Sequence, residues 1–119
     1  MGSFSVRITI RNPANPERQR DVDILVNTGS LFTWLAAQKL EEIGIAPVEQ
    51  RRFQTITGDF IERQIGYALI SYDARTGAVN VVFGEPGDME VLGVTALESL
   101  SVTADPVRQT LVPTVSLAL

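Results

Sequence analysis

Cysteine and histidine are both missing from this chain of 119 residues. Their absence excludes disulfides, thiol nucleophiles, Cys/His zinc sites and every Ser-His-Asp or Cys-His arrangement. A histidine general base is excluded with them. Lysine is almost missing too, with Lys39 the only one, and the arginines are scattered apart from the Arg51 and Arg52 pair. Ten basic residues against fourteen acidic ones leave a net charge of −4. Binding to a phosphate backbone needs clustered cations, so nucleic acid is not an expected partner. No apolar run approaches the roughly 18 residues of a membrane span, and a membrane is not expected either. The opening "MGSFSVRITI" lacks the layout of a signal peptide. Its Met-Gly start fits a myristoylation signal poorly, because position 6 is valine. The expectation is a cytoplasmic protein without metal or other cofactor, whose acid-base chemistry would fall to carboxylates, Lys39, a tyrosine or a bound ion.

What is present reads mostly as strand. "FSVRITI" alternates Phe4, Val6, Ile8 and Ile10 with polar residues, the period of a half-buried strand. "NPANPERQ" predicts a loop or wide hairpin. "VDILV" predicts a second strand, its near-continuous apolar content suggesting burial on both faces. Thr33 is the predicted N-cap of a short helix with Leu35, Leu40 and Ile43 as its apolar stripe, stopped by Gly44 and Pro47. "RRFQTI" and "FIERQIGYALISYD" are strand-like runs around "TGD", a hairpin over about residues 51–72 with Gly58 near its tip. "AVNVVF" and "MEVLG" predict further strands, with the acidic "GEPGDME" as a loop between and across them. Thr95 and Glu98 have the spacing of a capping box, and Pro113 places the closing segment at an edge. The sum is a single domain over residues 1–119, all-β in class, with six to eight strands and two short helices.

The chemistry centres on "DVDILVNTGSLFTWL", residues 21–35. An apolar strand climbs to Asn27 and turns through Thr28, Gly29 and Ser30. Rigid presentation of one polar residue at a strand end suits precise chemistry. Taken alone, the five residues "VNTGS" read equally as a tight turn closed by local side-chain hydrogen bonds. Asp21 and Asp23 alternate along the strand and read as a solvated face, and no acidic cluster completes a metal site. Trp34 reads as packing or dimer surface rather than a ligand platform. Arg51 and Arg52 read as a solvated strand end rather than a contact for an acidic substrate.

With aspartate at position 27 the stretch would read "LVDTGS". That resembles the active-site loop of the retroviral-type, retropepsin-like aspartic proteases, the single-domain branch of the pepsin superfamily. The resemblance runs along most of the chain, and its pattern is that of a prokaryotic-type member. "LFTWLAAQKLEEIGI" looks like the segment that follows the loop, and "FQTITGDFIERQIGYALI" is similar to the flap hairpin. "VLGVTALESL" matches the hydrophobic-hydrophobic-Gly signature before a helix, here Val91, Leu92 and Gly93, and "LSVTADPVRQTLVP" resembles the closing strands.

The resemblance implies a pepsin-like closed β-barrel that works as a homodimer, each subunit giving one loop and one flap to a peptide or protein substrate. Asn27 would stand at the catalytic aspartate, Thr28 would bond across the dimer axis, Gly29 would permit the turn, and Ser30 would bond the outer oxygen of residue 27. Thr55, Ile56, Thr57, Gly58, Asp59 and Phe60 would form the substrate-binding flap, and Val91, Leu92 and Gly93 the structural support beneath the loop. The implied function is an aspartic endopeptidase, silenced here because an amide cannot serve as the base. The alternative is a naturally inactive domain serving peptide binding or dimerisation. Every neighbouring site feature is intact, which favours a deliberate Asp-to-Asn change over natural decay.

Overall fold

The computed structural model describes residues 3–118. Alternation in "SVRITIRN" produces strand β1, Ser5–Asn12, with Val6, Ile8 and Ile10 facing inward. It pairs antiparallel with β2, Asn15–Val26. The predicted wide loop between them is a two-residue turn at Pro13 and Ala14, because the Asn12 side chain accepts both the Ala14 and Asn15 N–H groups, at 2.8 and 3.2 Å. The Asn12 amide also donates to the Ile43 carbonyl, anchoring the turn to the core. The near end of β2 alternates as well: Val22, Ile24 and Val26 are buried while Asp21 and Asp23 face solvent. The expectation of burial on both faces is therefore corrected, since only one face of this strand meets the core.

Thr33 does not cap a helix. It opens strand β3, Thr33–Ala36, and is fully buried, while helix α1 begins at Ala37 and ends at Glu42 without a side-chain cap. Parallel pairing with β6, from Thr33↔Val81 to Ala36↔Gly84, outweighs the local capping signal. The hairpin is long: β4, Glu49–Gln54, and β5, Phe60–Tyr72, with β5 returning through β6, Arg75–Gly84. A two-residue strand, β7, Val91–Leu92, leads to helix α2, Val94–Leu100. Here too the capping box is absent. Gly93 is the N-cap, and the Thr95 hydroxyl donates instead to the Leu31 carbonyl at 2.7 Å. Strands β8, Val102–Asp105, and β9, Thr110–Pro113, form a separate antiparallel pair, with Pro113 closing its strand.

The main sheet runs β1-β2-β7-β3-β6-β5-β4, and β1 pairs a second time, with β5, through Thr9↔Ser71 to Arg11↔Leu69. Nine strands are present among the described residues rather than six to eight. Ile8, Ile10, Ile24, Leu35, Leu40, Ile70 and Leu92 are essentially inaccessible and share one core with Ala96, Leu97 and Leu100 of α2.

The acidic loop is less solvated than its composition suggests. Arg63 of β5 forms two parallel hydrogen bonds to Asp88, at 2.7 and 3.0 Å, and meets Glu85 at 3.5 Å. The paired Arg63 and Asp88 side chains are only 13% and 18% exposed. Glu90 accepts from Lys39 and from the Ala36 N–H, each at 2.8 Å. Hydrogen bonds from Arg63, then the Glu85 N–H, outweigh burial and hold the Asp88 carboxyl below the usual carboxylate range. A depressed native pKa contributes stability above the unfolded carboxylate value and loses it as pH falls. Arg63→Ala should therefore cost about 1–3 kcal/mol at neutral pH. Urea titrations of both proteins should show that gap narrowing once pH drops below about 4.

Candidate functional site

The loop that carries Asn27 is held from below. β7 lies between β2 and β3, parallel to the first through Leu25↔Val91 and Val26↔Leu92, and antiparallel to the second at Trp34↔Val91. The two strands flanking the loop are thus separated by a third, and the loop must bridge over it. Its backbone is tied there: Asn27 N–H donates to the Leu92 carbonyl at 3.0 Å, and Val94 N–H donates to the Ser30 carbonyl at 2.8 Å. The Gly93 N–H donates to the buried Thr33 hydroxyl at 3.0 Å. A Cβ on Gly93 would lie 2.3 Å from the Phe32 carbonyl oxygen and 2.8 Å from that of Ser30. Only glycine lets the two segments approach this closely.

Within the loop, the Asn27 Oδ1 accepts the Gly29 N–H at 2.9 Å, and Ser30 N–H donates to the Asn27 carbonyl at 3.1 Å. These bonds fix the side chain of residue 27 at the open end of β2. Asn27, Thr28 and Gly29 are exposed. The Ser30 hydroxyl donates to the Phe32 carbonyl at 2.7 Å, so its link to residue 27 runs through the backbone.

The residues read as a flap sit at the far end of β4 and β5. Thr55 N–H donates to the Asp59 carbonyl and Gly58 N–H to the Thr55 carbonyl, closing a turn in which Gly58 has φ +93°. Ile56 at the tip is fully exposed, and Phe60 is largely so. Between this hairpin and the Asn27 loop lies a groove of about 520 Å³. Gly29 and Ser30 line one side and Thr55 the other, whereas Ile56 to Phe60 stand outside it.

Its walls are residues the sequence reading placed elsewhere. Phe32, just before β3, and Trp34 within it line the groove while Thr33 and Leu35 go to the core. Phe53 meets both aromatics, edge-on to Phe32 at 5.5 Å and tilted to Trp34 at 5.1 Å. Arg51 sits over the Phe32 ring at 5.5 Å. Arg51 is therefore a groove residue rather than a solvated strand end, and within β4 it and Phe53 are the two less exposed positions. Arg52 also lines the groove, with its guanidinium over the Phe60 ring at 4.0 Å. Trp34 is packing and groove wall at once. A period of two, read along "RRFQT", is the signal that could have placed Arg51 and Phe53.

No carboxylate lines the groove. Among the described residues no cluster of three or more acidic side chains could hold a metal ion, and no helix is long and apolar enough to cross a membrane.

No known family model matches the chain, and no curated protein does. Among solved structures it matches the solution structure of Simian Foamy Virus (mac) protease, with a TM-score of 0.55 over 79% of this chain and 91% of that chain. The fold is retropepsin-like. At 16% identity the match shows the fold alone. In this retropepsin-like frame, the Asn27 loop, the strand that pins it and the long hairpin are parts of one continuous sheet.

Proposed function

We propose that this chain is one half of a homodimeric aspartic endopeptidase acting on extended polypeptides, with Asn27 standing where the catalytic carboxylate belongs. The observation that carries the reading is the backbone-pinned loop of Asn27 to Ser30, whose Gly29 and Ser30 line a groove beside a long hairpin, in a retropepsin-like fold. One chain supplies one such loop, so two chains related by a two-fold axis would bring two together. The main sheet, in which β1 pairs again with β5, would be the barrel that each chain contributes. The hairpin turn at Thr55 to Asp59 would act as the flap, and the exposed Thr28 would reach the partner loop.

With aspartate at 27, the paired carboxylates share one proton because two like charges at that distance cannot both ionise comfortably. The ionised member takes a proton from water, whose oxygen attacks the scissile carbonyl while the protonated member donates to the carbonyl oxygen. Collapse of the tetrahedral adduct breaks the C–N bond, and the amine leaves with a proton from the dyad. An asparagine pair keeps the shape and lacks the base. The lack of any groove carboxylate also supports a second reading, a domain that binds peptides without cutting them.

The deciding assay compares the chain with its Asn27→Asp form, both sized by sedimentation and incubated with a mixed peptide library. Cleavage by the aspartate form alone supports the protease. Binding by both and cleavage by neither leaves the recognition domain. The dimer is testable separately. Thr114 N–H donates to the Ser101 carbonyl, and beyond it Val115 and Leu117 are exposed apolar side chains. Removing residues 114–119 should weaken self-association about tenfold or more, since burying two such side chains contributes a few kcal/mol. Unchanged sedimentation at micromolar concentration would place the interface elsewhere.

A further inference from the structure

The groove combines an apolar wall with two arginines, Arg51 and Arg52, of which Arg51 lies over the Phe32 ring. Phe32, Trp34 and Phe53 contact one another but remain half-buried, outside the cluster of residues that forms the core. Such a partly accessible aromatic surface can take up a further apolar side chain. Arg51 lies at its edge, its guanidinium held near the face of Phe32. In a chain of net charge −4, the lining carries arginine and neither Asp nor Glu.

The state of Arg51 matters. Its partner is Glu49, two positions earlier on the same strand, with Arg51 Nη2 2.6 Å from Glu49 Oε2. Both side chains are about 40% exposed, at 41% and 42%. An ion pair that open to water contributes little and exchanges readily. The planar fork of a guanidinium suits a carboxylate, and stacking on Phe32 fixes its orientation in advance.

We infer that Arg51 is a specificity-determining residue which makes the groove select extended peptides carrying an acidic side chain beside a bulky apolar one, and reject those carrying lysine or arginine there. The inference rests on the peptide-groove reading above and adds the charge class of the peptide. The apolar side chain enters against Phe32, Trp34 and Phe53. The neighbouring carboxylate takes the place of Glu49 on Arg51, while a cation there gains no such bond and meets two arginines in the lining.

Trp34 is the sole tryptophan, so its emission reports occupancy of the groove whether or not any bond is cut. The test titrates the chain as it stands with short peptides, acetylated and amidated, that share one phenylalanine and differ only in a neighbouring Glu, Gln or Lys. The Glu peptide should bind roughly tenfold more tightly than the Lys peptide, and the gap should shrink as salt is raised. Arg51→Gln should collapse the gap, and Arg51→Lys should keep part of it. Glu49→Gln should strengthen binding of the Glu peptide several-fold by removing its competitor, which a merely structural Arg51 would not produce. Equal binding of Glu and Lys peptides, or a gap that survives Arg51→Gln, overturns the inference. If the Asn27→Asp form cleaves peptides without regard to that charge, the inference falls and the protease reading stands. If no peptide shifts Trp34 and none is cleaved, both fall together.

Discussion

On the proposed homodimeric reading, Asn27→Asp should create a peptidase, with turnover rising above the asparagine form by at least about 10²–10⁴-fold. Residue 27 is fixed by the Gly29 N–H on its side-chain oxygen and by Leu92 behind its own N–H, and both bonds are as available to a carboxylate as to an amide. What the substitution adds is ionisation. Two such groups across a two-fold axis titrate as a coupled pair, so the pH profile should be bell-shaped and centred in acid, bounded by the loss of the first and second protons. The rate per chain should also fall on dilution, because in the proposed dimer each chain would supply only half of the site. The asparagine dimer should hold together more tightly than the aspartate dimer at neutral pH, where the second carboxylate would have to ionise beside the first. Peptide digestion across pH and protein concentration reads all three. An aspartate form that dimerises, binds peptide and still cuts nothing would remove the catalytic reading and leave the binding domain.

Gly93→Ala should have the largest effect on stability of any single methyl added to this chain. The new Cβ would sit 2.3, 2.6 and 2.8 Å from the Phe32 oxygen, the Phe32 carbon and the Ser30 oxygen. All three are backbone atoms and cannot rotate away. Relief requires the bridge at Ser30 to Phe32 to lift off β7, which strains the Val94 to Ser30 bond and the Gly93 to Thr33 bond together. A loss of more than about 3 kcal/mol follows, since overpacking and broken buried hydrogen bonds act on the same spot. For a domain of this size that is a drop in melting temperature of roughly 10–20 °C. Gly58→Ala is the control. Its Cβ meets nothing within 4 Å, and its φ of +93° costs about 1–2 kcal/mol of strain at an exposed turn. A melting curve for Gly93→Ala close to that of Gly58→Ala would show that the loop is not pinned as described.

Some of this was written in local sequence. Alternation in "FSVRITI" and "FIERQIGYALISY" sets which side chains face inward, because a strand has a period of two whatever it pairs with. The hairpin with Gly58 in its turn, the loop after Val26 and the short strand before Gly93 were legible for the same reason: each is a local conformational demand. The missing cysteine and histidine bounded the chemistry without any structure at all.

Tertiary structure decided the rest. Thr33 and Thr95 each carry a respectable capping signal, yet the first was drawn into β3 beside β6 and the second gave its hydroxyl to Leu31, since long-range partners outweigh a local bond of about 1 kcal/mol. The groove was invisible for a related reason. Phe32, Trp34, Arg51 and Phe53 come from segments almost twenty residues apart, and no period within either segment reveals that they share a wall. Sequence alone determined which residues could do chemistry here and that the one at position 27 lacks an ionisable group. Only packing decided what surrounds it, because proximity between distant segments is set by the sheet order that places β7 between β2 and β3.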